Sequence, residues 1–127
     1  MFTLPLKSKT IPQLESLLLV LGSKEIMIRD VLVDTGFELG LALPIDLAYQ
    51  INLQTKDFLY VQTEFADSDG ILRCSKGNIK LDNKLFEVDI LWLEHSDEAL
   101  IGSGFFAKYT EILQLNYKSD TLSILLK

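Results

Sequence analysis

The chain has 127 residues, of which 48% are hydrophobic and 24% are charged, and its formal net charge is -6. This length and composition are typical of one soluble globular domain with a sizeable core, and they exclude an intrinsically disordered chain. Lysine and arginine are scattered singly along the sequence without a dense basic cluster, so we expect no nucleic-acid partner.

Cysteine content and hydropathy indicate the compartment. Cys74 is the only cysteine in the sequence, which rules out a disulfide within the chain and favours a reducing environment. The first residues lack the charged-then-apolar plan of a signal peptide. The apolar run from Leu17 to Leu21 is far shorter than the roughly 20 residues that cross a bilayer. We therefore expect a cytoplasmic protein with no membrane partner.

Short apolar runs between turn residues predict a mainly β fold, with one domain over residues 1–127. Predicted strands cover residues 15–21, 25–33, 39–43, 58–65, 71–75, 78–81, 84–93, 99–102, 111–117 and 121–126. Short helices are predicted over 44–51, with Pro44 in the first turn, and over 103–109, with Ser103 as the cap. A small closed or partly open barrel is the natural way to bury so many short strands.

Turn residues between these runs predict four hairpins. The sets lie at Gly22-Ser23-Lys24, Asp67-Ser68-Asp69-Gly70, Asp82-Asn83 and Lys118-Ser119-Asp120. Glu94 to Glu98 is predicted to be a polar, acidic loop.

The stretch VLVDTGFELGLALP, from Val31 to Pro44, is the most informative in the sequence. An apolar strand here delivers the tripeptide Asp34-Thr35-Gly36 into a loop. A carboxylate at the end of a buried strand is costly unless it is satisfied or used, and glycine lets other groups approach closely. A second apolar run, Ala99 to Gly102, also ends in glycine. These features make Asp34 the candidate for acid–base chemistry.

The two segments together resemble the active-site framework of retropepsin-like aspartic proteases. In that family an apolar strand leads into Asp-Thr-Gly, and a later apolar-apolar-Gly segment, matched here by Leu100, Ile101 and Gly102, packs beside it. The Leu-x-Leu-Pro run that ends at Pro44 is similar to small prokaryotic members. The resemblance covers most of the chain and implies a small acid-protease barrel.

The resemblance also implies an assembly, because the tripeptide occurs once. Asp34 would meet its own copy across the axis of a homodimer. Two carboxylates held about 3 Å apart share one proton, so one activates a water and the other protonates the amide that is cleaved. Thr35 would brace the loop, and Gly36 would leave room for a peptide or protein substrate. No metal or organic cofactor is implied.

Two further features of the family have candidates in this chain. A flap hairpin that folds over the substrate would lie within 58–75, with Asp67, Ser68, Asp69 and Gly70 at its tip. The family dimerises partly through strands at its chain ends, for which Met1 to Leu6 and Leu122 to Leu126 are candidates.

Two interpretations without proteolysis remain open at this point. The chain is then either a retropepsin-fold dimerisation or peptide-binding module, since function depends on the site rather than the fold, or a β-barrel in which Asp34 only caps a turn. Absence of peptide cleavage by a well-formed dimer would indicate the first. A protein that stays monomeric at high concentration would indicate the second.

Other chemistries have weaker support in the sequence. His95 lies among acidic residues but has no second histidine or suitably spaced cysteine to complete a metal site. No serine, and not Cys74, lies in a nucleophile-elbow sequence that His95 would serve. Gly102-Ser103-Gly104 lacks the glycine spacing and the lysine of a phosphate loop.

Overall fold

The computed structural model describes residues 1–8, 10–54, 59–62 and 71–127. The strands are β1 (Phe2–Ser8), β2 (Gln13–Leu21), β3 (Lys24–Asp34), β4 (Leu41–Pro44), β5 (Leu59–Gln62), β6 (Ile71–Leu81), β7 (Lys84–Leu93), β8 (Ala99–Gly102), β9 (Thr110–Asn116) and β10 (Thr121–Leu126). The helices are α1 (Ile45–Gln50) and α2 (Ser103–Tyr109). The predicted mainly β fold with short helices is confirmed.

Three of the four predicted hairpins form within the described residues, and their turn residues explain why. Gly22 adopts a left-handed φ of 60° between β2 and β3. Asp82 and Asn83 both have positive φ, 50° and 59°, between β6 and β7, which is the conformation that a tight two-residue hairpin loop requires. The hairpin β9–β10 closes around residues 117–120. The fourth turn, at Asp67 to Gly70, lies outside the described residues.

Strand β6 corrects the prediction of two separate strands over 71–75 and 78–81. It runs unbroken through Gly77, which the sequence pattern treats as a break. Gly77 is buried, and a Cβ there would lie 2.7 Å from Leu21 Cδ2 and 3.2 Å from Val20 O. The glycine therefore marks the close approach of β2 to β6 rather than a turn.

Pairing of β6 with both β7 and β2 closes a barrel. Over the described residues the closed ring contains six strands in the order β6, β7, β4, β8, β3 and β2. Its core is aliphatic and aromatic, with Trp92, Phe105, Leu19 and Ile90 each 2% exposed or less. The predicted small barrel is confirmed.

Strands from the two chain ends form a smaller sheet beside the barrel. β10 lies between β1 and β9, and β1 continues into the barrel through its pairing with β2. The segments predicted to serve a dimer contact, Met1 to Leu6 and Leu122 to Leu126, therefore pair with each other inside one chain. Among the described residues, no helix is long and apolar enough to cross a membrane.

Candidate active site

The two sequence motifs lie side by side. β3 and β8 are parallel neighbours, with Leu32 opposite Leu100, Val33 opposite Ile101 and Asp34 opposite Gly102. The barrel thus places the Asp34 loop beside the end of the apolar-apolar-Gly segment, as the resemblance to retropepsin-like proteases implies. The Leu-x-Leu-Pro run forms β4, which pairs with β8 on its other edge.

Asp34 closes its own loop. Its carboxylate Oδ1 accepts a hydrogen bond from Gly36 N at 3.0 Å, and its backbone carbonyl accepts one from Phe37 N at 3.1 Å. The side chain is exposed, so one chain alone carries no desolvation cost at this carboxylate. β3 thus ends as it emerges from the barrel, and its last residue is in contact with solvent in the single chain.

Thr35 and Gly36 occupy the turn that follows. Both are exposed, and the Thr35 hydroxyl makes no hydrogen bond to any residue the structure describes. Gly36 lies outside the left-handed region, and a Cβ there would meet Asp34 Oδ1 at 3.3 Å. A side chain at position 36 would therefore crowd the Asp34 carboxylate, which accepts the hydrogen bond from the amide of the same residue. The bracing role of Thr35 stays a prediction.

Residues 37–40 are clamped by the start of α2. Phe37 O accepts hydrogen bonds from both Ser103 N (2.8 Å) and Ser103 Oγ (3.0 Å). Gly102 N donates to Gly40 O at 2.9 Å, and Gly104 N donates to Leu39 O at 3.2 Å. We call these four bonds the loop clamp. Amides that a helix N-terminus leaves without intrahelical partners here hold the segment after Asp34.

Ser103 is not the helix cap that the sequence predicts. Gly102 occupies the N-cap position without any side-chain cap bond, and Ser103 is the first helical residue. Its hydroxyl donates to Phe37 O instead. Sequence reasoning misses this role because a serine before a helix is normally a cap, and only the tertiary position of Phe37 changes its partner.

Glycine is required at two positions of the clamp because backbone atoms surround them. A Cβ on Gly102 would collide with Phe37 O and lie 2.5 Å from Leu39 O. A Cβ on Gly104 would lie 2.5 Å from Glu38 O. The Leu-Ile-Gly motif thus ends in glycine so that the loop after Asp34 can close onto β8.

The segment predicted to contain a flap is described only in part, and its role as a flap stays a prediction. β5 and β6 form an antiparallel pair in which Leu59 lies opposite Cys74 and Gln62 opposite Ile71. The predicted tip, Asp67, Ser68, Asp69 and Gly70, lies outside the described residues. Within the lower part of this hairpin, burial raises the pKa of the Cys74 thiol, and the negative charge of Asp89 raises it further. A higher pKa leaves less of the reactive thiolate at neutral pH.

The loop around His95 carries no metal site that the structure supports. His95 and its neighbours Glu94 and Asp97 are exposed, and no cluster of three or more metal-binding side chains exists among the described residues. Arg73 bonds Tyr49 Oη at 2.9 Å and lies 4.0 Å from Glu94, so part of this acidity is neutralised by an arginine of β6.

Comparisons with known proteins agree with this geometry. A retropepsin-like aspartic protease from Rickettsia conorii matches with a TM-score of 0.64 and 14% identity, over 97% of this chain and 88% of that one. The chain has the retropepsin-like fold. EIAV protease, in a structure with the inhibitor HBY-793, matches with a TM-score of 0.52 and 13% identity, over 80% of this chain and 90% of that one.

At these identities the likeness establishes the retropepsin-like fold alone. No protein-family model matches the sequence, and no curated protein matches it. The chemistry of the site must therefore be argued from its own residues.

Proposed function

We propose that this protein is a homodimeric aspartic endopeptidase in which Asp34 from each of two copies forms the catalytic pair. The observation that carries the proposal is the position of Asp34. It is an exposed carboxylate at the end of a barrel strand, in a loop fixed by its own turn and by the loop clamp. The retropepsin-like fold of the chain supports the same assignment.

The second carboxylate comes from a second copy of the chain. The sequence contains Asp-Thr-Gly once and has no Asp-Ser-Gly. A two-fold axis near the loop brings the same residue from both copies face to face. Two carboxylates about 3 Å apart hold one proton between them, which makes one a base and the other an acid.

The pair then performs acid–base hydrolysis. The ionised carboxylate takes a proton from a water, and the oxygen of that water attacks the amide carbonyl carbon. The protonated carboxyl neutralises the developing negative charge, and a proton passes to the amide nitrogen as the C–N bond breaks. The substrate lies extended and adds its backbone as a strand beneath the β5–β6 hairpin.

The test is the substitution Asp34→Asn in the purified protein. Asparagine keeps a side-chain oxygen that accepts the Gly36 amide, so the loop and the fold are retained. Cleavage of a peptide library between mildly acidic and neutral pH should fall by about 10³-fold or more, since the base is lost. Mass spectrometry of the products gives the rates.

Asp97→Asn is the matched control. It removes an equal charge from an exposed loop, and cleavage should stay at the parent rate. A parent-like rate in Asp34→Asn would refute the mechanism. A dimer that never cleaves any peptide would favour a binding module instead.

A further inference from the structure

The sheet made by the chain ends has one unprotected edge, on β9. β10 pairs with β1 on one edge and with β9 on the other. No described strand pairs with the outer edge of β9. This observation matters only because the proposed function, on which the inference rests, requires a second copy of the chain. A strand with a paired neighbour on each side cannot join another chain, whereas an edge strand can.

One hydrogen bond shows which neighbouring strand the backbone amide and carbonyl of each β10 residue face. Leu6 N donates to Asp120 O at 2.8 Å, in the same register that sets Leu4 opposite Leu122. Alternate residues of an antiparallel strand direct their amide and carbonyl groups to opposite neighbours. Leu122 therefore bonds β1, and Ser123 bonds β9.

The same alternation determines the side to which each backbone amide of β9 points. Ser123 lies opposite Gln114, and Thr121 lies opposite Asn116. The amides of Gln114 and Asn116 thus face β10. Those of Leu113 and Leu115 point outward, ready to pair with a strand that arrives from outside.

The other outer edge of this sheet, on the first half of β1, is blocked. Pro5 lies opposite Thr121, at a position whose amide would face away from β10. Proline has no N–H and is a common way to protect an edge. β9, with the sequence TEILQLN, contains neither proline nor lysine.

From Ile112 onward, the face of the β9–β10 hairpin that is turned away from the core carries no charge, whereas Glu111, at the irregularity in the register of the two strands, is exposed. Leu122 and Ile124 are buried on the core side. The opposite face is formed by Ile112, Gln114, Asn116, Thr121, Ser123 and Leu125; its β9 residues are exposed, whereas Ser123 is buried. Ile112 is 46% exposed there. A chain with a net charge of -6 repels its own copy, and an uncharged face is where two copies approach at the lowest electrostatic cost.

We propose that β9 pairs antiparallel with β9 of a second copy across a two-fold axis, so that two three-stranded sheets become one of six strands. The seven residues of α2, about 10 Å of helix, connect the loop clamp directly to the start of β9. Pairing at β9 therefore also determines the position of the Asp34 loop of the second copy. The dimer is built on this edge rather than on the chain-end strands.

Charge substitution at Gln114 tests the interface. Near the axis, Gln114 and its copy lie diagonally or directly opposite on one face. Gln114→Glu alone and Gln114→Lys alone should each dimerise about tenfold more weakly than the parent in sedimentation velocity. An equal mixture of the two variants should restore dimerisation and, with it, cleavage.

A backbone test accompanies the charge test. Leu115→Pro removes an outward amide from each copy, and Leu115→Val keeps that amide at a similar side-chain size. The proline variant should dimerise at least tenfold more weakly than the valine variant, because two hydrogen bonds are lost per dimer. Circular dichroism verifies that both variants fold.

The outcomes separate this inference from the proposed function. If the parent is monomeric at all concentrations, or if both Gln114 variants dimerise as the parent does, pairing at β9 is wrong. Cleavage that survives in those Gln114 dimers leaves Asp34 chemistry intact. If the mixture restores the dimer but neither it nor the parent cleaves peptide, pairing at β9 stands and the peptidase assignment fails.

Discussion

Gly102 and Gly36 show how differently two glycines of one site are used. Gly102 is enclosed by the carbonyl oxygens of Phe37 and Leu39, which are backbone atoms and cannot rotate away. Gly36 faces only the Asp34 carboxylate, whose Oδ1 would lie 3.3 Å from an added Cβ. Backbone contacts make a position intolerant, whereas a side-chain contact is relieved by a small rotation.

Gly102→Ala should therefore lower the free energy of unfolding by about 1–3 kcal/mol, the usual cost of overpacking. Gly36→Ala should cost less than half as much, because only a side chain must move. Urea unfolding of the two variants beside the parent measures the difference. Equal losses would show that the enclosure of Gly102 does not constrain the loop.

At the scale of residues, the sequence predicts which residues belong to the site better than it predicts the groups to which they hydrogen-bond. The motif identifies Asp34 and Gly102, and the structure places them opposite each other. The partner of Ser103 is not predictable in the same way, since a hydroxyl near a helix start has several possible acceptors. Only the folded position of Phe37 selects among them.

At the scale of elements, the loop clamp joins α2 to the segment after Asp34. Two of its bonds converge on Phe37 O, from the amide and the hydroxyl of Ser103. The hydroxyl is the one part of the clamp that a substitution removes without touching the backbone. Its contribution is therefore measurable on its own.

Ser103→Ala should destabilise the fold by about 0.5–1.5 kcal/mol, the net value of one hydrogen bond. Ser103→Thr keeps the hydroxyl and should stay closer to the parent. Thermal unfolding gives the stabilities, and kcat of the peptidase reaction should fall in the alanine variant while KM changes little. An alanine variant that matches the parent in both would show that the Ser103 hydroxyl contributes nothing to the clamp.

Hairpins are predicted well because their signals are local. Gly22 and the pair Asp82-Asn83 adopt the positive φ values that such residues tolerate. The division of β6 at Gly77 is wrong, because a glycine in a strand marks either a break or a close approach. The distinction depends on β2, which is distant in sequence.

At the scale of the whole molecule, the barrel depends on pairings between distant segments. β3 and β8 are parallel neighbours, and β2 and β6 close the ring. Local patterns cannot specify such contacts, and the first of them is expected only from the resemblance to retropepsin-like proteases. The chain-end strands, whose contact with a second copy stays a prediction, pair with each other within one chain.

The central claim is that symmetry brings two Asp34 side chains together. The most direct measurement is a crystal structure of the assembled protein, read for the distance between the two carboxylates. We predict carboxyl oxygens about 3 Å apart, within reach of one shared proton. Carboxylates that lie far apart in every oligomer the protein forms would contradict the account.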